Sequence, residues 1–158
     1  METHPYLQFV LDRTLYALPL SAVVRVIMAV MVSPLPRAPE IVLGVFNLSG
    51  RILPVVNIRR RFHLPEHPVE PADKFIIGRT SRPTGEPRQL ALVVDDVLAV
   101  CEVPDRDLTH PSAILPGLDF LRGVARTDLG LVIIHDLGSF LALEEERSMD
   151  AALAERGE

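Results

Sequence analysis

The chain has 158 residues, of which 48% are hydrophobic and 23% are charged, and its formal net charge is −5 at pH 7. This length allows one compact domain or two small interlocked lobes with a sizeable core. The net negative charge argues against a nucleic-acid-binding protein, which usually carries a basic face. Cys101 is the only cysteine, so no internal disulfide can form, and a cytoplasmic location is predicted.

The most apolar stretch of the chain, residues 15–32, needs to be distinguished from a membrane span. Pro19 lies near one end of this stretch, Arg25 lies in its middle, and Val and Ile are frequent. These features favour two successive strands over a spanning helix. The first five residues also lack the basic and apolar regions of a signal peptide, so we expect no direct membrane insertion.

Short apolar runs separated by turn residues predict an all-β protein of about ten strands with little helix. The predicted strands are residues 6–11, 14–18, 25–32, 51–56, 74–78, 89–95, 97–103, 120–126 and 129–135. Single helical turns are predicted at residues 21–24, 40–43 and 59–62, and a C-terminal helix is predicted at about 137–147. For the tail, residues 148–158, both continued helix and fraying remain open.

A hairpin at residues 41–58 is the most distinctive local pattern. Two apolar arms flank a polar turn that consists of Asn47, Leu48, Ser49, Gly50 and Arg51. Asn47 and Gly50 suit a tight reversal, because both residue types tolerate backbone conformations that others resist. The second arm is β-branched and apolar, as a buried strand should be.

Two segments recur later in the chain at nearly equal offsets. Residues 17–26 recur as 91–100 with an offset of 74, and residues 44–58 recur as 123–137 with an offset of 79. This order predicts two related small β-barrels within a single domain spanning residues 1–158, the second barrel running roughly from 70 to 135. Chance similarity between apolar strands is the alternative explanation.

The same segments carry a family pattern. Gly-Val-x-Asn-Leu-x-Gly-x-Ile-x-Pro-Val runs from Gly44 to Val55, and Ala-Leu-Pro-Leu-x-x-Val-x-x-Val runs from Ala17 to Val26. With these motifs, over about residues 6–143, the sequence resembles the CheW-like adaptors of bacterial chemotaxis arrays. The Gly44–Val55 pattern is the most specific part of this resemblance.

The resemblance implies two intertwined SH3-like five-stranded β-barrels packed around a shared hydrophobic core. It also implies a non-enzymatic scaffold, without a cofactor, that couples the cytoplasmic tips of chemoreceptors to the regulatory domain of a CheA-type histidine kinase. The residues expected to face these partners are Val23, Arg25, Val26, Asn47, Leu48, Ser49, Gly50 and Arg51. Simple burial in the core is the alternative for the two valines.

Two of these positions depart from the family pattern. The family usually has an acidic residue where this chain has Arg25, and an arginine where it has Ser49. The first change reverses a charge, and the second removes a charge and a forked set of donors. One hypothesis is that the chain serves a non-standard set of partners, and the other is neutral drift at a tolerant rim, where a charge pair contributes about 0–1 kcal/mol.

Other residues with possible chemistry give weaker patterns. His63 and His67 have the spacing of metal ligands on a helix, but Pro65 lies between them, so we expect loop histidines and no metal site. Asp95 and Asp96 are neighbours in a strand and would point to opposite faces, which does not suit paired acid catalysis.

The cluster at residues 59–61 consists of three consecutive arginines. The prediction is either that it contacts an acidic partner or that two of the arginines are solvated and one pairs locally. His135, Asp136 and Ser139 lack a nucleophile elbow, so no catalytic triad is predicted. The alternative functions are a CheW-like adaptor of a non-chemotaxis pathway, such as gliding or pilus motility, and a small β-barrel enzyme or ligand-binding protein.

Overall fold

The computed structural model describes residues 2–80, 87–109, 121–137 and 143–155. These residues contain eleven strands, which we number in chain order. They are β1 (Thr3–Leu11), β2 (Thr14–Pro19), β3 (Val23–Met28), β4 (Val42–Leu48), β5 (Arg51–Val56), β6 (Lys74–Thr80), β7 (Arg88–Val94), β8 (Asp96–Pro104), β9 (Leu108–Thr109), β10 (Leu121–Thr127) and β11 (Gly130–His135). The predicted all-β class is confirmed.

Helical structure in the described ranges is short except at the C-terminal end. Two 3-10 turns occupy Leu20–Ala22 and Asp105–Asp107, and the helices are α1 (Ile58–Arg61) and α2 (Leu143–Glu155). None of the helices in these ranges is long and apolar enough to cross a membrane.

The C-terminal helix extends beyond its predicted end. It continues to Glu155 instead of ending at 147, because Met149 and Ala152, three residues apart on one helix face, are buried against the rest of the protein. Residues 138–142 of the predicted helix lie outside the described residues. The helical turn predicted at residues 40–43 is reduced to one hydrogen-bonded turn, in which the N–H of Val42 donates to the carbonyl oxygen of Pro39 at 2.9 Å, because Val42 already pairs with Val56 in a strand ladder.

The strands form two mixed sheets. We call the six-stranded sheet, with the order β8-β1-β2-β11-β10-β9, lobe A, and the five-stranded sheet, with the order β3-β6-β7-β5-β4, lobe B. Both sheets are antiparallel except for one parallel pair each, β2 with β11 and β5 with β7.

The chain crosses between the lobes twice, so residues 70–135, the range predicted for the second barrel, include β6 and β7 of lobe B and β8 to β11 of lobe A. It leaves lobe A after β2 through the 3-10 turn Leu20–Ala22, and it returns from lobe B at Asp95, between β7 and β8. Pro19 ends β2 and has no backbone N–H to extend the ladder, so the chain turns away from lobe A there. The lobes are therefore intertwined, as the family resemblance implied.

The internal repeat is visible in the pairing of the two lobes. In lobe A, Ile134 pairs with Ala17 in the parallel ladder, and in lobe B, Val55 pairs with Ala91. The offset of 79 relates Ile134 to Val55, and the offset of 74 relates Ala17 to Ala91. Chance similarity would not place both members of each pair at equivalent points, so the repeat is structural.

Each lobe has its own apolar cluster, and a larger cluster joins them. The central cluster takes residues from both lobes and from α2, among them Phe9 and Leu18 of lobe A, Ile76 and Leu92 of lobe B, and Met149. Burying these side chains stabilises the association of the lobes by about 1.5–3 kcal/mol for each large side chain. The two lobes therefore form one cooperative unit around a shared core.

Candidate partner-binding surface

Strand β3 at one edge of lobe B carries the first half of the predicted site. Val23 is half-buried and packs against the central cluster, whereas Arg25 and Val26 are exposed. The ladder with β6 pairs Arg25 with Ile77 and Val26 with Ile76, with an irregularity between Val23 and Arg25. Core packing is thus part of the role of Val23, and Val26 is the valine available to a partner.

The outer face of β3 is unusually apolar for an exposed strand. Val24 and Val26 are each 39% exposed and Met28 is 62% exposed, and Val30 and Met31 continue this exposed apolar surface beyond the strand. Contiguous exposed apolar surface of this kind marks a site of protein contact more often than scattered single residues do. We call these five residues the β3 patch.

The second half of the predicted site is the tip of the β4–β5 hairpin. Ser49 and Gly50 have φ values of 52° and 89°, which give the tight turn favoured in two-residue hairpins. The side-chain oxygen Oδ1 of Asn47 accepts a hydrogen bond of 2.8 Å from the backbone N–H of Gly50. The Asn and Gly of the family pattern therefore fix the shape of the tip, and the exposed side chains of Ser49 and Arg51 project from it.

The two halves of the predicted site lie at opposite sides of the lobe B sheet, because β3 is its first strand and β5 and β4 are its last two. The chain after β3 nevertheless returns to β4, where Ser33 and Val45 exchange two backbone hydrogen bonds of 2.8 Å. This contact requires Gly44, because a Cβ atom there would overlap the carbonyl oxygen of Ser33. The β3 patch and the hairpin tip are two surfaces on one lobe.

The arginines of the predicted site differ from the cluster at 59–61 in their pairing. Within the described ranges, Arg25 and Arg51 form no ion pair. By contrast, Arg59 pairs with Asp95 at 2.6 Å, Arg61 pairs with Glu145 of α2, and Arg60 pairs with Glu40 at 3.0 Å and Glu66 at 3.3 Å. Local pairing therefore explains the cluster, and Arg25 and Arg51 carry the charge that faces outward.

Sequence reasoning missed the surface that α2 covers. Ala152 is buried in a cluster with Leu35 and Val45, against which Ile52 and Leu153 also pack. The five polar residues that separate Met149 from the apolar positions at 140, 141 and 143 hid this pattern. The apolar i, i+3 pair at 149 and 152 was the available signal.

The histidines and neighbouring acids considered for chemistry lie in separate places. His63 and His67 are exposed in the loop after α1, and His67 Nδ1 lies 4.0 Å from Glu70. His135 is buried and stacks on Phe62, with the ring centroids 4.3 Å apart. Ser139 lies outside the described residues. Asp95 and Asp96 do not converge, because Asp95 binds Arg59 while Asp96 accepts a hydrogen bond from the N–H of Val97.

Burial raises the pKa of two side chains of lobe A, Tyr16 and Cys101. Desolvation is the largest cause that raises the pKa of Tyr16, and the nearby charge of Asp12 adds to it. Desolvation also raises the pKa of the Cys101 thiol, which packs partly buried against the cluster of lobe A. A raised thiol pKa disfavours the reactive thiolate, in line with a structural role for this cysteine.

These features define a class: a two-lobed all-β domain, with an internal repeat and a shared core, that presents apolar surface to its surroundings. A family model described as the CheW-like domain matches residues 5–145. Because this match spans most of the chain, the protein belongs to the CheW-like domain family.

Individual relatives agree with this assignment. The chain is 29% identical over 139 residues to the chemotaxis protein CheW of Treponema pallidum, covering 87% of this chain and 81% of that protein. It is 29% identical over 93 residues to Protein FrzA of Myxococcus xanthus, covering 59% and 55% of the two chains. The crystal structure of the scaffolding protein TtCheW from Thermoanaerobacter tengcongensis superimposes with a TM-score of 0.79 at 25% identity, covering 91% of this chain and 96% of that one.

Proposed function

We propose that this protein is a non-enzymatic scaffold that couples the cytoplasmic tips of chemoreceptors to the regulatory domain of a CheA-type histidine kinase. The observation that carries the proposal is the likeness to TtCheW, a scaffolding protein, over 91% of the chain. The protein would act in the cytoplasm, at receptor arrays on the inner face of the membrane. Nucleic acid is not among its partners in this proposal.

The β3 patch is the surface that best suits a receptor tip. Its apolar side chains would supply affinity to the apolar face of a helical hairpin, while Arg25 at its side would select partners by charge. The hairpin tip, where Leu48 is half-buried and Ser49 and Arg51 are exposed, would provide a second and more polar contact. Signalling would work through geometry, because a shift of the receptor biases the state of a kinase held beside it.

A binding measurement on purified components tests this assignment. Biolayer interferometry with an immobilised receptor-tip fragment should show saturable binding, and Val26→Asp should abolish it while the melting temperature stays near wild type. Leu131→Asp is the matched control, because Leu131 is an exposed apolar strand residue of lobe A, 68% accessible. If both variants lost receptor binding equally, or if both kept it, the β3 patch would not be the receptor site.

The second candidate is a CheW-like adaptor of a pathway other than chemotaxis, such as gliding or pilus motility. It is favoured by the match to a relative that is named Protein FrzA. Affinity capture from the native cell distinguishes the two candidates, because each predicts a different receptor and kinase among the retained proteins.

A further inference from the structure

Three metal-ligating side chains meet on lobe A, at the start of β1. They are Glu2, His4 and Asp105, and their ligand atoms all lie within 4.8 Å of one another. None of them belongs to the β3 patch or the hairpin tip, both of which are on lobe B.

The strand pairing explains why these three residues converge. Glu2 and His4 are two residues apart at the start of β1, so their side chains leave the same face of the sheet. On the neighbouring strand, Pro104 pairs with Thr3, and the N–H of Asp105 donates a hydrogen bond of 3.1 Å to the carbonyl oxygen of Glu2. Asp105 therefore stands directly across from Glu2, and the end of the ladder places one metal-ligating side chain from the turn after β8 beside His4 of β1 and Glu2, which precedes β1.

The distances are close to those of a metal site. His4 Nε2 lies 3.0 Å from Asp105 Oδ1. Two ligands of a tetrahedral zinc ion, with bonds of about 2.0–2.1 Å, stand about 3.3 Å apart. His4 and Asp105 already form an ion pair at this distance, and the ligand atom of Glu2 lies within 4.8 Å of both, so a cation would replace the direct contact between the two.

The surroundings leave room for further ligands. His4 and Asp105 line a cleft of about 520 Å³. Tyr6, Ser21 and Thr109 also line it. Three protein ligands with a fourth position open to water are a coordination that zinc accepts in proteins.

We propose that Glu2, His4 and Asp105 form a binding site for a divalent transition metal ion of the zinc type. The imidazole nitrogen selects Zn²⁺ or Ni²⁺ over Mg²⁺ and Ca²⁺, which prefer all-oxygen sites. The bound ion joins the first strand to the turn Asp105–Asp107, and it thereby stabilises the end of the β1–β8 ladder. The site is independent of the proposed scaffold function.

Isothermal titration of Zn²⁺ into the untagged protein, in metal-free buffer, tests the site. We expect one ion bound per chain, no binding in His4→Ala, and affinity reduced about tenfold or more in Asp105→Asn, since even supporting groups of metal sites are worth 10–100-fold. His67→Ala is the matched control, because His67 is an exposed histidine beside one carboxylate, that of Glu70 at 4.0 Å, and is not among the three residues of the site. This control should bind Zn²⁺ like the wild type.

A thermal melt with Zn²⁺ provides the second readout, since a ligand bound only by the folded state raises the melting temperature. The increase should occur in the wild type and in His67→Ala and disappear in His4→Ala, with circular dichroism confirming that all variants fold. The proposal would be overturned if the wild type bound no Zn²⁺, if His4→Ala bound it unchanged, or if His67→Ala lost binding. In the first case His4 and Asp105 would be an ordinary surface ion pair.

Discussion

Arg59 donates a hydrogen bond of 2.6 Å from Nη2 to Oδ1 of Asp95, and this pair ties the two lobes together. Asp95 stands where the chain crosses from lobe B to lobe A, and its Oδ2 accepts a hydrogen bond of 2.8 Å from the backbone N–H of Asp12. Arg59 also donates from Nη1 to the carbonyl oxygen of Pro65. One carboxylate thus joins α1, the crossover and the β1–β2 turn.

Removing this carboxylate should destabilise the protein substantially. Asp95→Ala leaves the Arg59 side chain, which is 9% exposed, without its partner, and we expect the free energy of unfolding to fall by about 2–3 kcal/mol. Asp96→Ala is the matched control, because Asp96 is exposed, and its effect should stay within about 0.5 kcal/mol. Equal urea midpoints for the two variants would show that the pair contributes no more than a surface charge.

The two glycines related by the repeat should differ in their tolerance of a methyl group. A Cβ at Gly44 would overlap the carbonyl oxygen of Ser33, whereas a Cβ at Gly123 would lie 3.1 Å from that of Thr109. We expect Gly44→Ala to cost about 2–3 kcal/mol, because the backbone must move, and Gly123→Ala to cost about 1 kcal/mol or less. Chemical denaturation of both variants measures the difference, and the reverse order would contradict the proposed contact.

The packing of α2 against the lobes can be tested with one substitution at two positions. Met149 is fully buried and Met31 is 90% exposed. Met149→Ala should lower the free energy of unfolding by about 2–5 kcal/mol, whereas Met31→Ala should change it by less than about 0.5 kcal/mol. If Met149→Ala were as stable as Met31→Ala, α2 would not be anchored in the core.

The departures from the family pattern at Arg25 and Ser49 should affect partner choice and leave stability unchanged. Both side chains are exposed, so the double variant Arg25→Glu/Ser49→Arg should fold with a melting temperature near wild type. It should bind receptor tips and kinases of standard chemotaxis arrays more tightly, and its own partners more weakly, by a factor of about two to five for each charge pair.

Affinities measured against both partner sets decide this point, with Arg13→Glu as a charge-reversal control in lobe A. Arg13 lies exposed in the β1–β2 turn and, within the described part of the chain, forms no ion pair. Unchanged affinity for both partner sets would mean that positions 25 and 49 have drifted at a tolerant rim.

The features that sequence reasoning predicted correctly are local or repeated. The hairpin at 41–58 depends on Asn47 and Gly50, which act within four residues of each other, and the repeat compares one apolar strand pattern with another. For Val26 the sequence is equally compatible with exposure and with burial, because a strand at the edge of a sheet can have the same apolar composition as one inside it.

The features it missed depend on contacts between distant parts of the chain. The crossings at Leu20–Ala22 and Asp95 assign neighbouring strands to different lobes, and nothing in a strand's own residues specifies which sheet it joins. The pairing of Arg59 with Asp95 spans 36 residues, so the sequence alone could not identify the partner of this arginine.

The central claim, that the protein couples receptor to kinase, is tested most directly by sedimentation with receptor-bearing vesicles. We predict that the kinase sediments with the receptor only when this protein is present, and that Val26→Asp prevents this while Leu131→Asp does not. Sedimentation of the kinase to the same extent with and without the protein would contradict the account.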